Sequence, residues 1–375
     1  MSADSIRVLI VGTFGGGGVH QYVEEQHRRL SDRFAVSSYD MLMPPAGSGI
    51  RWFAYSVLLG LWAMLRFPFR SRPDIVHVHT SHRFSFYRSS FYVLFAKRVW
   101  GRPVVLHVHG SSFDEFVATD SGALARYQSL VFGASDRIVV LSEYWREVVS
   151  ERADEETIHV LPNAVEPEGY EPSFDEPADD ADEVPHVVFI SNMIDRKGVT
   201  ELVEAVDELE SSTDRPFRVS FAGKGPRSEQ VTELADRSET VDYHGYVSEE
   251  RKRSLLSEGT IYVLPTYAEG LPIAMLEGMA GGNAIISTDV GSIPEVIDDE
   301  NGRLVEPGNV EQLHDALQSL VESPDTARRM GERNRRAICD RYSWEQITDE
   351  LVGIYSRELP ELTPPPSAAS TEPAA

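Results

Sequence analysis

The sequence predicts an α/β protein built from two doubly wound, parallel-sheet domains that face each other across a cleft. Three observations predict it. Short apolar strands alternate with helical stretches along most of the 375 residues, the βα repetition of a parallel sheet covered on both faces. The alternation breaks once, at the acid- and proline-rich segment 166–185, EPEGYEPSFDEPADDADEVP, and then restarts. The length suits two domains, each able to bury its own core.

The elements follow in order. IRVLIVG reads as the first buried strand, followed by a glycine-rich turn and a helix over 19–30. DIVHVHT, PVVLHVHG, RIVVLS and IHVLPN supply further strands of an N-terminal domain, 1–165. Segment 166–185 is a linker by composition. HVVFIS, FRVSFAG, TVDYHG, IYVLPT, NAIIST and GRLVEP then give the strands of a C-terminal domain, 186–342. The last helical stretches are 310–320, 325–338 and 344–357, with 343–358 expected to pack back on the N-terminal domain. The tail 360–375 is rich in Pro, Ala and Ser and predicts disorder. Ligands in open α/β sheets bind at strand C-terminal ends, so the cleft is the expected site.

Composition narrows the function. The net charge of −25 disfavours general nucleic-acid binding. Four lysines against 31 arginines, in so acidic a chain, suggest adaptation to high salt, where screening suppresses self-repulsion. The single cysteine, Cys339, excludes an internal disulfide and a thiolate metal cluster. MSADSIRVLIVG runs into a strand without a signal peptide, so an intracellular location is expected. Residues 50–110 reverse the charge: nine Lys/Arg stand against the single acid Asp74, a net +8, leaving −33 elsewhere. The same stretch is crowded with aromatic residues. Its apolar run from Trp52 to Leu65, 14 residues between Arg51 and Arg66, is too short to span a bilayer. It reads as an amphipathic segment lying on a membrane surface, with 50–102 as the contact. A buried helix with a basic edge is the plainer alternative.

Several segments could carry chemistry. GTFGGGGVHQYVEEQ places Gly15 to Gly18 between first strand and first helix, allowing close backbone approach to a phosphate or sugar. It does not fit the GxGxxG spacing of dinucleotide sites. In HVHT and HVHG, His77 with His79 and His107 with His109 each share a strand face. Zinc binding is the sharp reading of these pairs, and cleft-edge strand residues without metal the plainer one. His109 closes its strand, where a substrate-contacting group would stand. Arg196 and Lys197 precede a helix and could neutralise a diphosphate. In AEGLPIAMLEG, Glu269 and Glu277 flank a helix predicted to begin at Pro272. Eight residues rise about 12 Å, a span that suits one carboxylate on a sugar and the other on a ribose, with phosphates at the helix N-terminus between them.

These elements together resemble the GT-B retaining glycosyltransferases of family 4, the glycosyl transferases group 1. SNMIDRKGV, AGKGP, HGYVSEE, LPTYAEGLPIAMLEGMAGG, GSIPEVI and NGRLVEPGN occur in that family's order and spacing, and Glu269 with Glu277 meets its E-x7-E motif. The resemblance implies a hexosyltransferase that moves sugar from a nucleotide diphosphate sugar, UDP- or GDP-linked, to an acceptor hydroxyl with retained configuration. No metal and no resident cofactor are implied. Glu269 would contact the donor sugar, with the amides of Gly270 and Leu271 near its phosphate. Glu277 would hold the ribose, and Lys197 the diphosphate. The backbone at Tyr246 and Val247 would lie near the base, His109 near the reacting centre, and Gly17 and Gly18 between donor and acceptor. The family's arginine five positions before Lys197 is replaced by Asn192, for which Arg196 could substitute, and Ala164 replaces a usual glycine in LPNAVEP. With the basic, aromatic stretch, the expected acceptor is a lipid-linked glycan or glycolipid at the cytoplasmic face of the membrane. A nucleotide-sugar 2-epimerase of the same shape, a soluble transferase with a small acceptor and a non-catalytic sugar-nucleotide-binding subunit are the alternatives.

Overall fold

The computed structural model describes residues 6–14, 18–42, 47, 49–172 and 184–359. Gly17, most of the linker and the tail 360–375 lie outside the described residues.

Two six-stranded, all-parallel sheets form the two domains. The N-terminal strands are β1 (Arg7–Gly12), β2 (Ala35–Asp40), β3 (Ile75–Thr80), β4 (Val104–Val108), β5 (Arg137–Val140) and β6 (Ile158–Val160), in the order β2-β1-β3-β4-β5-β6. The C-terminal strands are β7 (His186–Ile190), β8 (Arg218–Ala222), β9 (Val241–Tyr243), β10 (Ile261–Leu264), β11 (Ala284–Thr288) and β12 (Gly302–Val305), in the order β12-β11-β10-β7-β8-β9. Eleven of these strands fall where the apolar runs predict them. The twelfth, β2, is an addition: AVSSYD is polar, and only Tyr39 in it is buried. It survives as an edge strand paired with β1 alone.

The period-2 rule assigns the faces. Val8 and Ile10 of β1, Ile75 of β3 and Val105 of β4 meet one cluster, under the helices Gly18–Leu30 and Trp344–Glu358. Leu9, Val11, Val76, Val78, Val104 and Leu106 meet the other. The helix Trp344–Glu358 therefore belongs by packing to the N-terminal domain, where Trp344 lies 4.8 Å from the Tyr22 ring and Tyr355 is fully buried. Where the chain passes between domains, Val165 donates to Tyr342 O at 2.9 Å and Trp344 donates to Val165 O at 3.2 Å. The outgoing and returning crossings are thus hydrogen-bonded side by side.

The basic, aromatic stretch divides in two. Phe67, Phe86, Tyr92 and Trp100 enter the core. Arg88 is buried, Lys97 pairs with Asp136, and Arg102 reaches Asp74, so these cations serve the fold rather than a surface. The helix Ile50–Arg66, extended by a tight turn to Phe69, behaves differently. It lays small residues, Ser56, Gly60 and Ala63, against the domain, while Ile50, Phe53, Leu58, Leu61, Trp62 and Leu65 stand exposed on its other side. Arg51, Arg66, Arg70 and Arg72 flank that face, also exposed.

Candidate functional site

The C-terminal ends of both sheets open on the cleft, and each turn there is fixed by its neighbours. After β7 the chain makes a short 3-10 turn, Asp195–Lys197, closed by Gly198 at φ +68°. Only glycine fits: an added Cβ would stand 1.9 Å from Pro265 O. Arg196 O in turn accepts from Thr266 Oγ1 and Tyr267 N, both at 2.9 Å, which docks this turn against the end of β10. Gly198→Ala is expected to destabilise the protein by more than the about 1–2 kcal/mol of a left-handed non-glycine residue, because the backbone clash adds to it; a urea unfolding midpoint measures this. Turns after β8 and β9 complete the floor, with Met193 donating to Lys224 O and Gly223 to Gly245 O.

Onto this floor the structure brings Glu269, Lys197 and Arg196. Glu269 is 8% exposed, and its Oε1 receives Lys197 Nζ, Thr266 Oγ1 at 3.1 Å and Arg196 Nη1 at 3.4 Å. Arg196 also donates to Ala268 O. It thus stands beside Lys197, while Asn192 is exposed. A carboxylate this buried needs such partners.

The helix after this turn begins one residue later than predicted. Pro272 is the residue before its first turn, at ψ 117°, and the helix is Ile273–Ala280. Glu277 is on this helix with its side chain 15% exposed, and its Oε1 accepts from Lys252 Nζ at 2.6 Å. Burial pushes the Glu277 carboxyl up, and Lys252 opposes that push. Burial also works against the Lys252 charge, but Glu277 and Glu249 outweigh it and hold that amine above the ordinary lysine value. Lys252, on the helix Glu249–Glu258, has no motif to announce it. Its rarity is the available signal. Of the chain's four lysines, Lys197 and Lys252 pair with the two glutamates, and Lys224 approaches Gly245. Tyr246 beyond it is exposed, and Val247 packs on the core edge.

The N-terminal domain closes on the turn at Gly270. Trp145 Nε1 donates to Gly270 O at 3.2 Å, and Asn163 Nδ2 to Leu271 O at 2.7 Å. A trans peptide opposes its N–H to its C=O, so the Leu271 amide points away from Trp145. Glu295 accepts from the amides of Glu143 and Tyr144 at the N-terminus of the helix Glu143–Ser150, and Ser292 donates to Ser142. Gly110 O would stand 3.2 Å from a Cβ on Gly270, so the end of β4 abuts the Glu269 turn. Trp145, Asn163 and Glu295 were not foreseen as site residues. Beside Glu269 the cleft encloses about 850 Å³, with Ser112, Asp114, Tyr144, Tyr267 and Glu295 in its lining and no Lys or Arg among the lining residues.

His109 follows β4 on the same face as His107, and β3 sends His77 and His79 to that face beside them. All four are buried. Burial pushes His77 and His109 down to about 3, and His79 and His107 well below the ordinary histidine value, so all are neutral. His77, His79 and His107 bring nitrogens within 4.8 Å of one another. Their rings are stacked or tilted at 21° to 47° to one another. Their nitrogens meet other partners: His77 Nδ1 lies 2.6 Å from Tyr355 Oη, and His79 Nε2 lies 2.8 Å from Gln26 Oε1. Gly18 opens the first helix, and Gly17 lies outside the described residues.

Comparison with known proteins gives this arrangement a family. Residues 3–164 match the family described as Glycosyl transferase 4-like domain, and residues 173–337 match Glycosyl transferases group 1. The alpha-D-kanosaminyltransferase of Streptomyces kanamyceticus is 25% identical over 94% of this chain and 98% of its own length. The MMP alpha-(1->4)-mannosyltransferase of Mycolicibacterium hassiacum is 30% identical over 44% of this chain, and the match spans only 40% of that protein. Among solved structures, the sucrose-phosphate synthase of Thermosynechococcus elongatus superposes with a TM-score of 0.75 at 16% identity, covering 95% of this chain and all of that one, a likeness of fold. Two family matches that between them take in both sheets, and a relative aligned almost end to end, carry one conclusion: the chain belongs to the glycosyl transferases group 1 and is a glycosyltransferase of GT-B fold.

Proposed function

We propose that the chain transfers a hexose from a UDP- or GDP-linked sugar to a hydroxyl of a lipid-linked glycan or glycolipid, with retention of configuration and without metal or resident cofactor. The observation that carries the donor half is the pairing of each glutamate with a lysine: Glu269 with Lys197, and Glu277 with Lys252. In the loaded enzyme Glu277 accepts from the ribose hydroxyls, and Glu269 from hydroxyls of the sugar. Lys197, Arg196 and the free amides at the start of Ile273–Ala280 face the diphosphate. Tyr246 and Val247 lie near the base, and Gly18 and His109 border the transferred sugar from the other domain.

Chemistry then needs little more than charge and position. The bond from the anomeric carbon to the diphosphate oxygen breaks, and its electron pair leaves on that oxygen. Lys197 and Arg196 stabilise the charge. The acceptor hydroxyl attacks from the same face, and its proton passes to the departing phosphate oxygen. Configuration is retained, and no protein nucleophile is consumed.

The acceptor half rests on the exposed face of Ile50–Arg66. Monomeric proteins rarely leave so many large apolar side chains together in water. Flanked by Arg51, Arg66, Arg70 and Arg72, that face suits an anionic bilayer at the cytoplasmic surface. The wild type is expected to sediment with anionic vesicles, and Phe53→Asp/Leu61→Asp/Leu65→Asp to remain in the supernatant while still binding donor. A wild type that ignores such vesicles overturns the membrane reading. A donor panel by calorimetry, followed by transfer onto a lipid extract, tests the activity. Nucleotide-sugar turnover that does not respond to acceptor would favour the epimerase instead. A second reading, a small soluble acceptor, is favoured by the acidic cavity beside Glu269, which suits a neutral or cationic sugar.

A further inference from the structure

Two of the four buried histidines are linked in a line that starts at the first helix and ends at the cleft. Gln26 is on the helix Gly18–Leu30, 1% exposed. Its Oε1 lies 2.8 Å from His79 Nε2. His79 Nδ1 lies 2.9 Å from His109 Nε2. The Tyr22 ring packs edge-on against both His79 and His109, and fixes their planes. His109 then leads into Gly110, whose carbonyl meets the Gly270 turn.

Hydrogen-bond logic runs down this line in one direction. A carboxamide oxygen can only accept, so His79 carries its hydrogen on Nε2. Burial keeps these rings neutral, and a neutral imidazole has one N–H. His79 Nδ1 is therefore bare and accepts. His109 must then carry its hydrogen on Nε2, and its own Nδ1 is left as an acceptor.

We propose that Gln26 and His79 are positioning residues that fix the tautomer of His109, so that His109 Nδ1 accepts a hydrogen bond from a hydroxyl of the transferred sugar. The role of the sugar rests on the functional reading above; the tautomer does not. On this account His109 is neither a proton donor to the leaving group nor a cation facing it. It selects for a hydroxyl on the sugar and orients the ring through it. On this face of the sheet Ile75 and Val105 come first on β3 and β4, followed by His77 and His107 and then by the His79–His109 pair.

The test uses the whole chain with nitrogen-15 enriched histidine. Long-range proton–nitrogen correlation reads which ring nitrogen is protonated, and the signals of His109 are those missing from His109→Asn. In the wild type both His79 and His109 are expected with hydrogen on Nε2. Gln26→Met preserves volume but removes the acceptor. It is expected to shift His109 toward the Nδ1–H form and to lower kcat about tenfold, the size of one neutral hydrogen bond, while donor affinity stays within about twofold. Gln26→Glu accepts from His79 when its carboxyl is ionised, and at a pH where it is ionised the variant is expected to restore both the tautomer and most of the lost turnover. A purely packing role would follow side-chain volume and would not show this rescue. A wild-type His109 with hydrogen on Nδ1 overturns the proposal, and so does a Gln26→Met protein with unchanged tautomer and turnover. Should Gln26→Met fail to fold, the wild-type spectrum alone decides. If the tautomers are as expected but His109→Asn transfers sugar at the full rate, the relay stands and the reading of His109 as a sugar contact falls.

Discussion

Lys197→Ala is expected to lower transfer about 10²–10³-fold, the usual effect of removing one preorganised charge from a developing oxyanion. The effect should appear in kcat more than in donor affinity, because the charge on the diphosphate is greatest as the anomeric bond breaks. Folding is expected to survive. Glu269 loses its closest partner but keeps Thr266 Oγ1 at 3.1 Å and Arg196 Nη1 at 3.4 Å. The loss of stability should therefore fall below the about 3–5 kcal/mol of a stranded buried charge. Lys197→Arg is not expected to rescue. The lysine side chain is only 11% exposed, and a planar guanidinium needs more room and a different approach to Glu269. Single-turnover kinetics with saturating donor, beside a thermal melt, separates the two effects. Near-normal turnover in a folded Lys197→Ala protein would remove Lys197 from the chemistry.

The second large effect is asymmetric, and the asymmetry is its test. Glu277→Gln is expected to weaken donor binding about 10–100-fold, since a carboxylate's hydrogen bonds to a ribose are worth about 1.5–3 kcal/mol. The variant should still fold, because Lys252 keeps Glu249 at 2.8 Å. Lys252→Met is expected to be the more damaging change to stability, by about 3–5 kcal/mol. Lys252 is the ion-pair partner that Glu277 has among the described residues, and without it a buried carboxylate stands unpaired. The double variant should be more stable than Lys252→Met alone, a coupling that a double-mutant cycle measures. Additive losses would mean that Glu277 finds its compensation elsewhere.

The sequence carried the parts of this molecule that are local. Apolar runs such as HVVFI and IIST mark buried parallel strands because both faces are covered, and they located the second sheet strand by strand. AVSSYD failed the same test because an edge strand need not be apolar on both faces. Glu269, Glu277, Lys197 and Arg196 were legible because each stands at a strand end or on the following helix, in a motif with fixed spacing. Lys252, Trp145, Asn163 and Glu295 were not, since each acts on a partner far away in the chain, such as Trp145 on Gly270. The basic stretch was legible as a charge anomaly, but its division was not: nothing in the order of residues separates Arg88, which is buried, from Arg66, which is exposed.

One feature of the fold limits how the cleft can work. The chain leaves the N-terminal domain at Val165 and comes back at Ser343, and these two strands of backbone are bonded to each other at the crossing. Two rods pinned together at one point resist sliding and shear, yet still permit a swing about the line between them. Relative motion of the domains is thereby reduced from six degrees of freedom toward one. Along that arc, distance from the pivot sets amplitude: a few degrees of torsion barely disturb the crossing, while the mouth of the cleft opens by several times as much. A swing about that line would carry Gly110 toward or away from Gly270 along one arc, so the paired crossings set the register in which the two halves of the site meet.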